Sequence, residues 1–270
     1  MSTLTAVEKQ FNLAPKRRGY VWMIVLTLSG LMLWSVSELS LALDQRGMVI
    51  ASNIFTGLLN PDLSFLFSLT NQGVLYLLLE TLSIAFLGTI IGAILAVPLA
   101  FLSASNIVPK PVSGLTRVML IFVRTIPSLV YGLMLIRVTG PGPFAGVLTI
   151  GVTSIGMLAK LYVDAIEDLD TKVLESMTSM GCSMFEKIRF GILPQLLALF
   201  LSVMIYRFDM NMREASILGL VGAGGIGAPL IFAMQGYRWS QVGSILIGLV
   251  FLILLIEAIS NKLRAKLVNG

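Results

Sequence analysis

The sequence predicts an all-α membrane protein with about six transmembrane helices. Of its 270 residues, 56% are hydrophobic and only 12% are charged, and the mean hydropathy is +0.92. A soluble domain needs more charge than this to cover its surface. Several apolar runs reach the roughly 18 residues that a membrane-spanning helix requires, and they lack the alternation that is typical of barrel strands. Because every backbone group must be hydrogen-bonded inside the bilayer, these runs are predicted to be helical.

The first of these apolar runs is predicted to be a retained span. It follows the basic cluster Lys16-Arg17-Arg18, but it is too long for a signal peptide, and no small-residue cleavage site ends it convincingly. The predicted spans cover residues 21–43, 74–102, 116–138, 144–163, 196–212 and 242–260.

The distribution of lysine and arginine predicts how these spans are oriented. Most of these residues lie near the chain termini, between the second and third spans, or between the fourth and fifth, whereas Arg46, Arg137, Arg213 and Arg238 lie on the opposite side. By the positive-inside rule, the side with more positive charge is cytoplasmic. Both termini and the polar segment 164–194 are then cytoplasmic. Segment 44–72 is external, and a short interfacial helix is expected there.

This topology divides the chain into four parts. Residues 1–20 are predicted to be a cytoplasmic tail, 21–73 the first span with the external segment, 74–260 the main transmembrane domain with the loop 164–194, and 261–270 a second cytoplasmic tail. The net charge of +5 is attributed to the cytoplasmic loops. No nucleic-acid partner is therefore predicted.

The residue types limit the chemistry that the chain can perform. It has no histidine and a single cysteine, Cys182, so an internal disulfide is impossible. Metal sites of the usual histidine and cysteine type are not expected, and serine–histidine or cysteine–histidine catalysis is excluded. The sequence contains no phosphate loop of the form Gly-x-x-x-x-Gly-Lys-Ser/Thr. If ATP drives this protein, another subunit is expected to bind it.

The polar segment 164–194 interrupts an otherwise apolar chain. Gly181 can adopt the positive φ that ends a helix and turns the chain, and Pro194 can begin the next span without losing a backbone hydrogen bond. Apolar residues at helical spacing precede the glycine, and a shorter apolar face follows it: Leu169, Val173, Met177 and Met180, then Met184, Phe185 and Ile188. Two interpretations are open, an amphipathic loop on the bilayer surface or an element that docks onto another protein.

The spacing of Glu175, Gly181 and Leu193-Pro194 resembles the EAA loop of the permease subunits of bacterial ABC importers. The resemblance implies that the segment docks as a short helix into a cleft on a cytoplasmic ATPase. The implied coupling residues are Glu175, Met177, Met180, Gly181, Phe185 and Pro194. The segment departs from the family pattern at two places. Ser176 and Met177 replace two alanines, and Gly191 replaces an apolar residue.

Further stretches resemble the permeases of phosphonate transporters. They are Arg-Thr-Ile-Pro-Ser-Leu-Val at 124–130, Gly-Pro-Gly-Pro-Phe-Ala-Gly-Val-Leu at 140–148, Tyr-Arg-Phe at 206–208, Arg213, and Val-Gly-Ala-Gly-Gly-Ile-Gly at 221–227. The resemblance, which covers about residue 74 to the C-terminus, implies a type I ABC importer permease fold in a bacterial inner membrane. It implies a homodimer that works with two cytoplasmic ATPase subunits, which carry ATP and Mg²⁺, and with an external substrate-binding protein. The implied cargo is a phosphonate or a related phosphorus oxyanion such as phosphite.

The glycine run between Gly222 and Gly227 satisfies the dinucleotide fingerprint G-x-G-x-x-G. No predicted strand precedes it, and it lies between membrane spans, so a nucleotide site is rejected. One interpretation is a broken helix or tight turn that closes the outer mouth of a pathway. Simple close packing of helices is the other interpretation.

Charged residues inside spans are costly, and therefore informative. Three pairings are predicted: Glu80 with Arg207, Arg124 with Glu257, and Asp209 with Arg213 four residues later. The functional alternative is that Arg124 or Arg207 faces a pathway, since the planar guanidinium suits the oxygens of a phosphonate. The candidate pathway or gate residues are Arg124, Pro127, Ser128, Arg207, Arg213, Gly222, Gly224, Gly225 and Gly227.

Gly88 and Gly92, with Ala85 and Ala96, form a small-residue face in the second span. Such a face lets two helices approach closely. The sequence leaves open whether the partner is a neighbouring helix or a second copy of the chain.

These features predict the permease subunit of an ATP-driven importer, with no cofactor of its own and no enzymatic activity in this chain. Alternatives are an ABC permease for another anion or an amino acid, and a secondary transporter driven by an ion gradient, which needs no docking loop. A membrane receptor or scaffold is disfavoured by the charges inside the spans and by the glycine run.

Overall fold

Helices form all the regular structure in the computed structural model, which describes residues 18–38, 45–68, 70 and 73–269; these ranges contain no strand. The α-helices are α1 (Arg18–Glu38), α2 (Gln45–Leu59), α3 (Leu63–Leu66), α4 (Val74–Ser103), α5 (Lys110–Thr125), α6 (Ser128–Thr139), α7 (Pro143–Glu167), α8 (Thr171–Ser179), α9 (Met184–Glu186), α10 (Leu193–Leu220), α11 (Gly227–Gln235) and α12 (Trp239–Asn269). A π-helix, Lys187–Ile192, connects α9 to α10. The prediction of an all-α fold is confirmed.

Five described segments are long and apolar enough to cross a membrane, and they lie in α1, α4, α7, the stretch Met184–Leu220 and α12. The pair α5 and α6 makes a sixth if the two helices count as one span. The prediction of about six spans is therefore confirmed in number.

The continuous span predicted at 116–138 is wrong, because the chain bends by 85° between α5 and α6. Ile126 and Pro127 both have extended backbone conformations, with ψ of 124° and 144°. Proline has no N–H to donate, and it disfavours a helical conformation in the residue before it. The break is thus a direct consequence of Pro127.

The other boundaries differ from the predicted ones mainly by extension. The fifth span begins at Leu193 as expected from Pro194, but α10 continues to Leu220, eight residues beyond the predicted end at Met212. Arg213 and Glu214 can lie in this helix because both are paired with other charged residues. The predicted N-terminal tail and the end of the first span fall largely on residues 1–17 and 39–44, outside the described residues.

Backbone contacts divide the chain into two compact units, residues 1–51 and 52–270. In the first unit, α1 carries apolar side chains around its whole circumference, and 0% of its apolar window is buried. A helix that is apolar on all sides is suited to a lipid environment.

The short helix expected in segment 44–72 is confirmed, since α2 and the one-turn helix α3 both lie there. Asp62 caps α3 by accepting a hydrogen bond from the Phe65 N–H at 3.1 Å. The Ser64 hydroxyl donates to the same carboxylate at 2.6 Å. Both bonds hold the pKa of the Asp62 carboxyl below its usual range, and the bond from Ser64 has the larger effect.

The pair α4 and α7 forms the centre of the second unit. A Cβ added to Gly88 would lie 2.7 Å from the Ile150 Cβ, and one added to Gly92 would lie 2.6 Å from the Ser154 Cβ. The small-residue face therefore packs against a neighbouring helix of the same chain, as small residues do in membranes.

Helix α10 packs across both α4 and α7, and α12 packs on α10. Apolar clusters fill both ends of this bundle. At the end near the polar segment, Tyr162 stacks on Phe200 with ring centroids 4.2 Å apart. At the opposite end, Val74 and Ile245 pack around Ile226. The bundle thus brings the glycine run to one end and the polar segment to the other.

Candidate functional site

The glycine run forms a tight turn between α10 and α11, which we call the glycine turn (residues 221–227). Gly222, Gly224 and Gly225 have φ values of +97°, +83° and +74°. Glycine adopts this region without the steric cost that a Cβ imposes. Gly227 then begins α11. The interpretation of this stretch as a break between helices is confirmed.

Two side chains of α4 hold the glycine turn in place. The Glu80 carboxylate accepts a hydrogen bond from the Gly225 N–H at 3.0 Å, and the Thr81 hydroxyl accepts one from the Ile226 N–H at 2.9 Å. From the other side, the Gly142 N–H donates to the Gly222 carbonyl at 2.9 Å. The pairing predicted between Glu80 and Arg207 is wrong, because Glu80 binds backbone and Arg207 pairs elsewhere.

Arg207 lies in a buried polar cluster between α7 and α10, with its side chain only 8% exposed. Its guanidinium donates to Glu214 at 3.0 Å and approaches the hydroxyl oxygen of Ser154 at 3.4 Å. Asn211 extends the cluster by donating to Thr89 at 2.7 Å and to Ser154 at 2.8 Å. Arg207 is therefore engaged within its own chain.

The sequence carries a signal for this cluster that the predicted charge pairs do not include. Arg207, Asn211 and Glu214 follow one another at intervals of four and three residues, which places them on one face of a helix. The partners Thr89 and Ser154 lie on other helices, so helix periodicity could not find them. The Asn211 Oδ1 atom has no hydrogen-bond partner among the described residues.

A second charged cluster joins α10 to α12. Arg213 lies 3.2 Å from the Asp209 carboxylate and 3.3 Å from that of Glu257. The predicted pairing of Asp209 with Arg213 is confirmed. The pairing of Arg124 with Glu257 is wrong, because Glu257 instead contacts Arg213.

Arg124, Pro127 and Ser128 lie at the bend between α5 and α6. The Pro127 carbonyl accepts hydrogen bonds from the first turn of α6, and the Tyr131 hydroxyl donates across the bend to the Val123 carbonyl at 3.2 Å. Ser128 is the first residue of α6. Arg124 makes no hydrogen bond or ion pair with any residue that the structure describes, and its side chain is exposed.

Arg124 also lines a cavity between α5 and α7, which we call the basic cavity. Its volume is about 210 Å³. The lining residues are Arg117, Leu120, Ile121, Arg124, Lys160, Val163 and Asp164.

The polar segment folds into two short helices around Gly181. The φ of Gly181 is +79°, as its predicted role at a helix end requires. Asp170 caps α8 by accepting from the Lys172 N–H at 3.0 Å. Ser183 and Glu186 form a reciprocal capping box at the start of α9. Local sequence signals therefore define both helices.

The apolar stripe of the polar segment divides into an inward part and an outward part. Val173 and Met177 are partly buried, and the Met177 sulfur packs where a Cβ of Gly191 would lie. Met180 and Phe185 are 71% and 69% exposed. The Glu175 side chain is also exposed. The predicted single stripe is thus wrong at Met180, which lies at the C-terminal cap of α8, where the chain turns.

The segment joins the membrane bundle through an unpredicted π-helix. Its last hydrogen bond runs from the Leu193 N–H to the Ile188 carbonyl, and Pro194 then occupies the first turn of α10. Proline is tolerated there because the first N–H groups of a helix have no partner within the helix.

Two solved structures of ABC transporters share this fold. A chain of the MetNI methionine ABC transporter in inward-facing conformations matches with a TM-score of 0.66 and 20% identity, covering 74% of this chain and 99% of that chain. A chain of an amino acid ABC transporter matches with a TM-score of 0.58 and 20% identity, covering 85% and 100%. At such identities the likeness shows the fold alone, and the predicted permease fold is confirmed.

The chain belongs to the family of binding-protein-dependent transport system inner membrane components, whose sequence model matches residues 96–267. It is 34% identical over 188 residues to the phosphite transport system permease protein PtxC of Stutzerimonas stutzeri, covering 69% of this chain and 68% of that protein. It is 39% identical over 183 residues to the phosphate-import permease protein PhnE of Mycolicibacterium smegmatis, covering 67% of this chain and 34% of that protein. The putative phosphite permease HtxC of Stutzerimonas stutzeri is 29% identical over 255 residues, covering 94% and 88%.

The resemblance to phosphonate ABC permeases is therefore confirmed. The chain is a transport component of the inner membrane, and its family works with an ATPase and a substrate-binding protein. No described group of three or more histidine, cysteine, aspartate or glutamate residues could hold a metal ion. The roles predicted for individual coupling and pathway residues stay predictions.

Proposed function

We propose that this chain is the permease subunit of an ATP-driven importer for phosphonate or a related phosphorus oxyanion, such as phosphite or a phosphate ester. The observation that carries the proposal is its similarity to PtxC, a phosphite permease, at 34% identity over 188 residues. PhnE and HtxC, named for phosphate import and phosphite transport, support the same substrate class.

We propose that two copies of the chain form the translocation pathway along their interface. Each copy has an exposed apolar face on α5 that includes Leu115, Met119 and Phe122, which suits a membrane or a second copy. Both termini and the polar segment lie in the cytoplasm, and residues 1–20 and 261–270 are cytoplasmic tails. The external substrate-binding protein delivers cargo at the opposite end, next to the glycine turn.

The polar segment receives the motion of the ATPase. Exposed Met180 and Phe185 provide an apolar contact surface on either side of the Gly181 corner, and Glu175 adds a charge. ATP and Mg²⁺ bind the two ATPase subunits, so this chain needs no cofactor of its own. The partly buried Met177 passes the movement of α8 to the π-helix and hence to α10.

The glycine turn closes the outer mouth of the pathway. When the ATPases close around ATP, the helices rock, the turn separates from Glu80, and cargo enters from the binding protein. Hydrolysis then restores the inward-open arrangement. Arg213, through its ion pair to Glu257 on α12, and the buried Arg207, through its contact with Ser154 on α7, keep α10 in register with its neighbours during this motion.

Reconstitution of the complex in liposomes tests this function. We expect uptake of radiolabelled phosphite or phosphonate that requires ATP, requires the binding protein and persists with a protonophore. Methionine serves as the control cargo, since the matched folds come from amino acid transporters. Uptake driven by an ion gradient without the ATPase, or stimulation of ATP hydrolysis by methionine alone, would contradict the proposal.

A further inference from the structure

The basic cavity contains more positive charge than its own residues neutralise. Lys160 pairs with Asp164, and Arg117 pairs with Glu167 at 2.5 Å. Arg124 lines the same cavity without a partner in the described part of the chain. Two of the three cations are therefore compensated and one is not. An unpaired arginine beside a membrane helix is costly unless an anion or water meets it.

The packing of α5 against α7 holds Arg124 over the cavity. The two helices run antiparallel, so that Arg124 lies against Gly156 while Arg117 reaches Glu167. A Cβ on Gly156 would lie 2.6 Å from the Arg124 Cγ. Gly156 thus provides the space in which the Arg124 stem lies, and Arg124 lines the same cavity as Lys160.

The depth of the cavity indicates which anions can reach it. Gly156 precedes Glu167, at the end of α7, by eleven residues, or about 16 Å along the helix axis. The lining residues Lys160 and Asp164 precede Glu167 by only seven and three residues, or about 10 and 5 Å. With the end of α7 taken as the edge of a hydrocarbon core about 30 Å thick, the cavity lies in the half nearer the polar segment, and Arg124 lies at its deep end. Lipid phosphates lie outside the hydrocarbon core, and a soluble ion in a transport pathway reaches this depth more easily.

We propose that the basic cavity binds a tetrahedral phosphorus oxyanion, with Arg124 as its principal ligand and Lys160 beside it. The guanidinium offers two parallel N–H donors to one oxyanion, and the ammonium of Lys160 offers a further donor. The cavity volume of about 210 Å³ accommodates such an ion together with water. The choice of phosphorus over another anion rests on the proposed function.

The direct test is ³¹P NMR of methylphosphonate with the permease–ATPase complex in nanodiscs, without the binding protein. We expect the wild-type complex to broaden the resonance in a saturable way, and Arg124→Gln to weaken binding by about ten-fold or more. Arg124→Lys keeps the positive charge but loses the two parallel N–H donors of the guanidinium, so it should give an intermediate affinity. Arg137→Gln is the matched control, because Arg137 is an exposed arginine of α6 that does not line this cavity.

A second variant tests the site without removing its charge. Gly156→Ala should displace the arginine stem and weaken methylphosphonate binding, while ATPase recruitment shows that the variant is folded. Equal binding by wild type, Arg124→Gln and Gly156→Ala would overturn the proposal. If acetate displaced methylphosphonate as effectively as methylphosphonate itself does, the assignment of the cavity to phosphorus oxyanions would be overturned.

Nanodisc composition distinguishes the two sources of a phosphorus oxyanion. If the cavity holds soluble cargo, replacing phosphatidylcholine by phosphatidylglycerol should leave methylphosphonate binding unchanged. A lipid that native mass spectrometry finds in wild type but not in Arg124→Gln would support the oxyanion site and assign it to a headgroup. Uptake by the complete transporter separates the two proposals. Failure of wild-type uptake would contradict the proposed function. Equal uptake and equal binding by wild type and Arg124→Gln would contradict only the proposed oxyanion site in the basic cavity.

Discussion

The two ends of the bundle, the glycine turn and the polar segment, are both built around glycines with positive φ, but they differ in what holds them. The glycine turn is hydrogen-bonded to α4 by Glu80 and Thr81 and to the chain before α7 by Gly142. The polar segment is capped by its own Asp170 and Ser183 side chains and contacts the π-helix through Met177. It exposes large apolar side chains, including Met180 and Phe185.

This difference indicates that one end makes its contacts within the chain, whereas the other leaves contact groups exposed for another protein. An end that must stay closed without help needs hydrogen bonds from its own chain, whereas a docking element must leave its contact groups available. A substitution at the glycine turn should therefore affect the permease itself. A substitution at the polar segment should affect recruitment of the ATPase.

The largest effect is expected from Gly181→Val. A β-branched residue at a φ of +79° costs about 1–2 kcal/mol or more, so the corner should open and Met180 and Phe185 should lose their relative positions. We expect the ATPase to dissociate and uptake to fall by about ten-fold or more. Co-purification and uptake measure this.

The matched control for Gly181→Val is Ser176→Val, the same new side chain at an exposed helical position of α8. It should retain the ATPase. Normal recruitment and uptake by Gly181→Val would show that the corner is not needed for docking, and the contrast between the two ends would fail.

Glu80→Ala tests the other end and should give the second largest effect. The Gly225 N–H loses an acceptor whose hydrogen bond, made to a charged group, contributes about 1.5–3 kcal/mol. The glycine turn should then open more readily, and ATP hydrolysis without the binding protein should rise several-fold. Glu80→Gln retains an acceptor oxygen and should lie close to wild type. An unchanged basal ATPase rate in Glu80→Ala would contradict the role of this bond.

Local features of the fold were readable from the sequence. Apolar runs predicted the number of spans, and Gly181 and Pro194 predicted where helices end and begin, because these signals act within a few residues of one another. The resemblance at Glu175, Gly181 and Pro194 indicated the family.

The features that could not be read depend on pairing between distant parts of the chain. Glu80 and Gly225 lie 145 residues apart in the sequence, and nothing in either stretch specifies the other. The charge pairs predicted for Glu80 and Arg124 failed for this reason, since matching charges by depth does not fix which helices are neighbours. The pair Asp209 and Arg213 succeeded because it lies within one helix.

Substitutions at Gly191 and Met177 test whether the contact between these two residues stabilises the polar segment. Both depart from the family pattern, and the departures compensate, because the Met177 sulfur occupies the space above Gly191. Gly191→Leu should lower the stability of the permease by about 1–3 kcal/mol through overpacking and should weaken ATPase binding. Adding Met177→Ala to Gly191→Leu should restore most of the lost stability and most of the lost ATPase binding.

A double-mutant cycle from thermal unfolding measures that coupling. Additive effects of Gly191→Leu and Met177→Ala would mean that the two residues do not share the space. In that case the polar segment would be held to the bundle by other contacts.

The smallest effect is expected from Asn211→Ala, in the polar cluster between the two ends. Its partners keep other hydrogen bonds, since Thr89 still donates to the Ala85 carbonyl at 2.6 Å and Ser154 still lies 3.4 Å from Arg207. Interhelical hydrogen bonds in membranes contribute about 0.6 kcal/mol on average, so the apparent melting temperature should fall only slightly. A loss as large as that of Gly191→Leu would mean that the cluster acts as one unit, and that the two ends of the bundle are coupled through its centre.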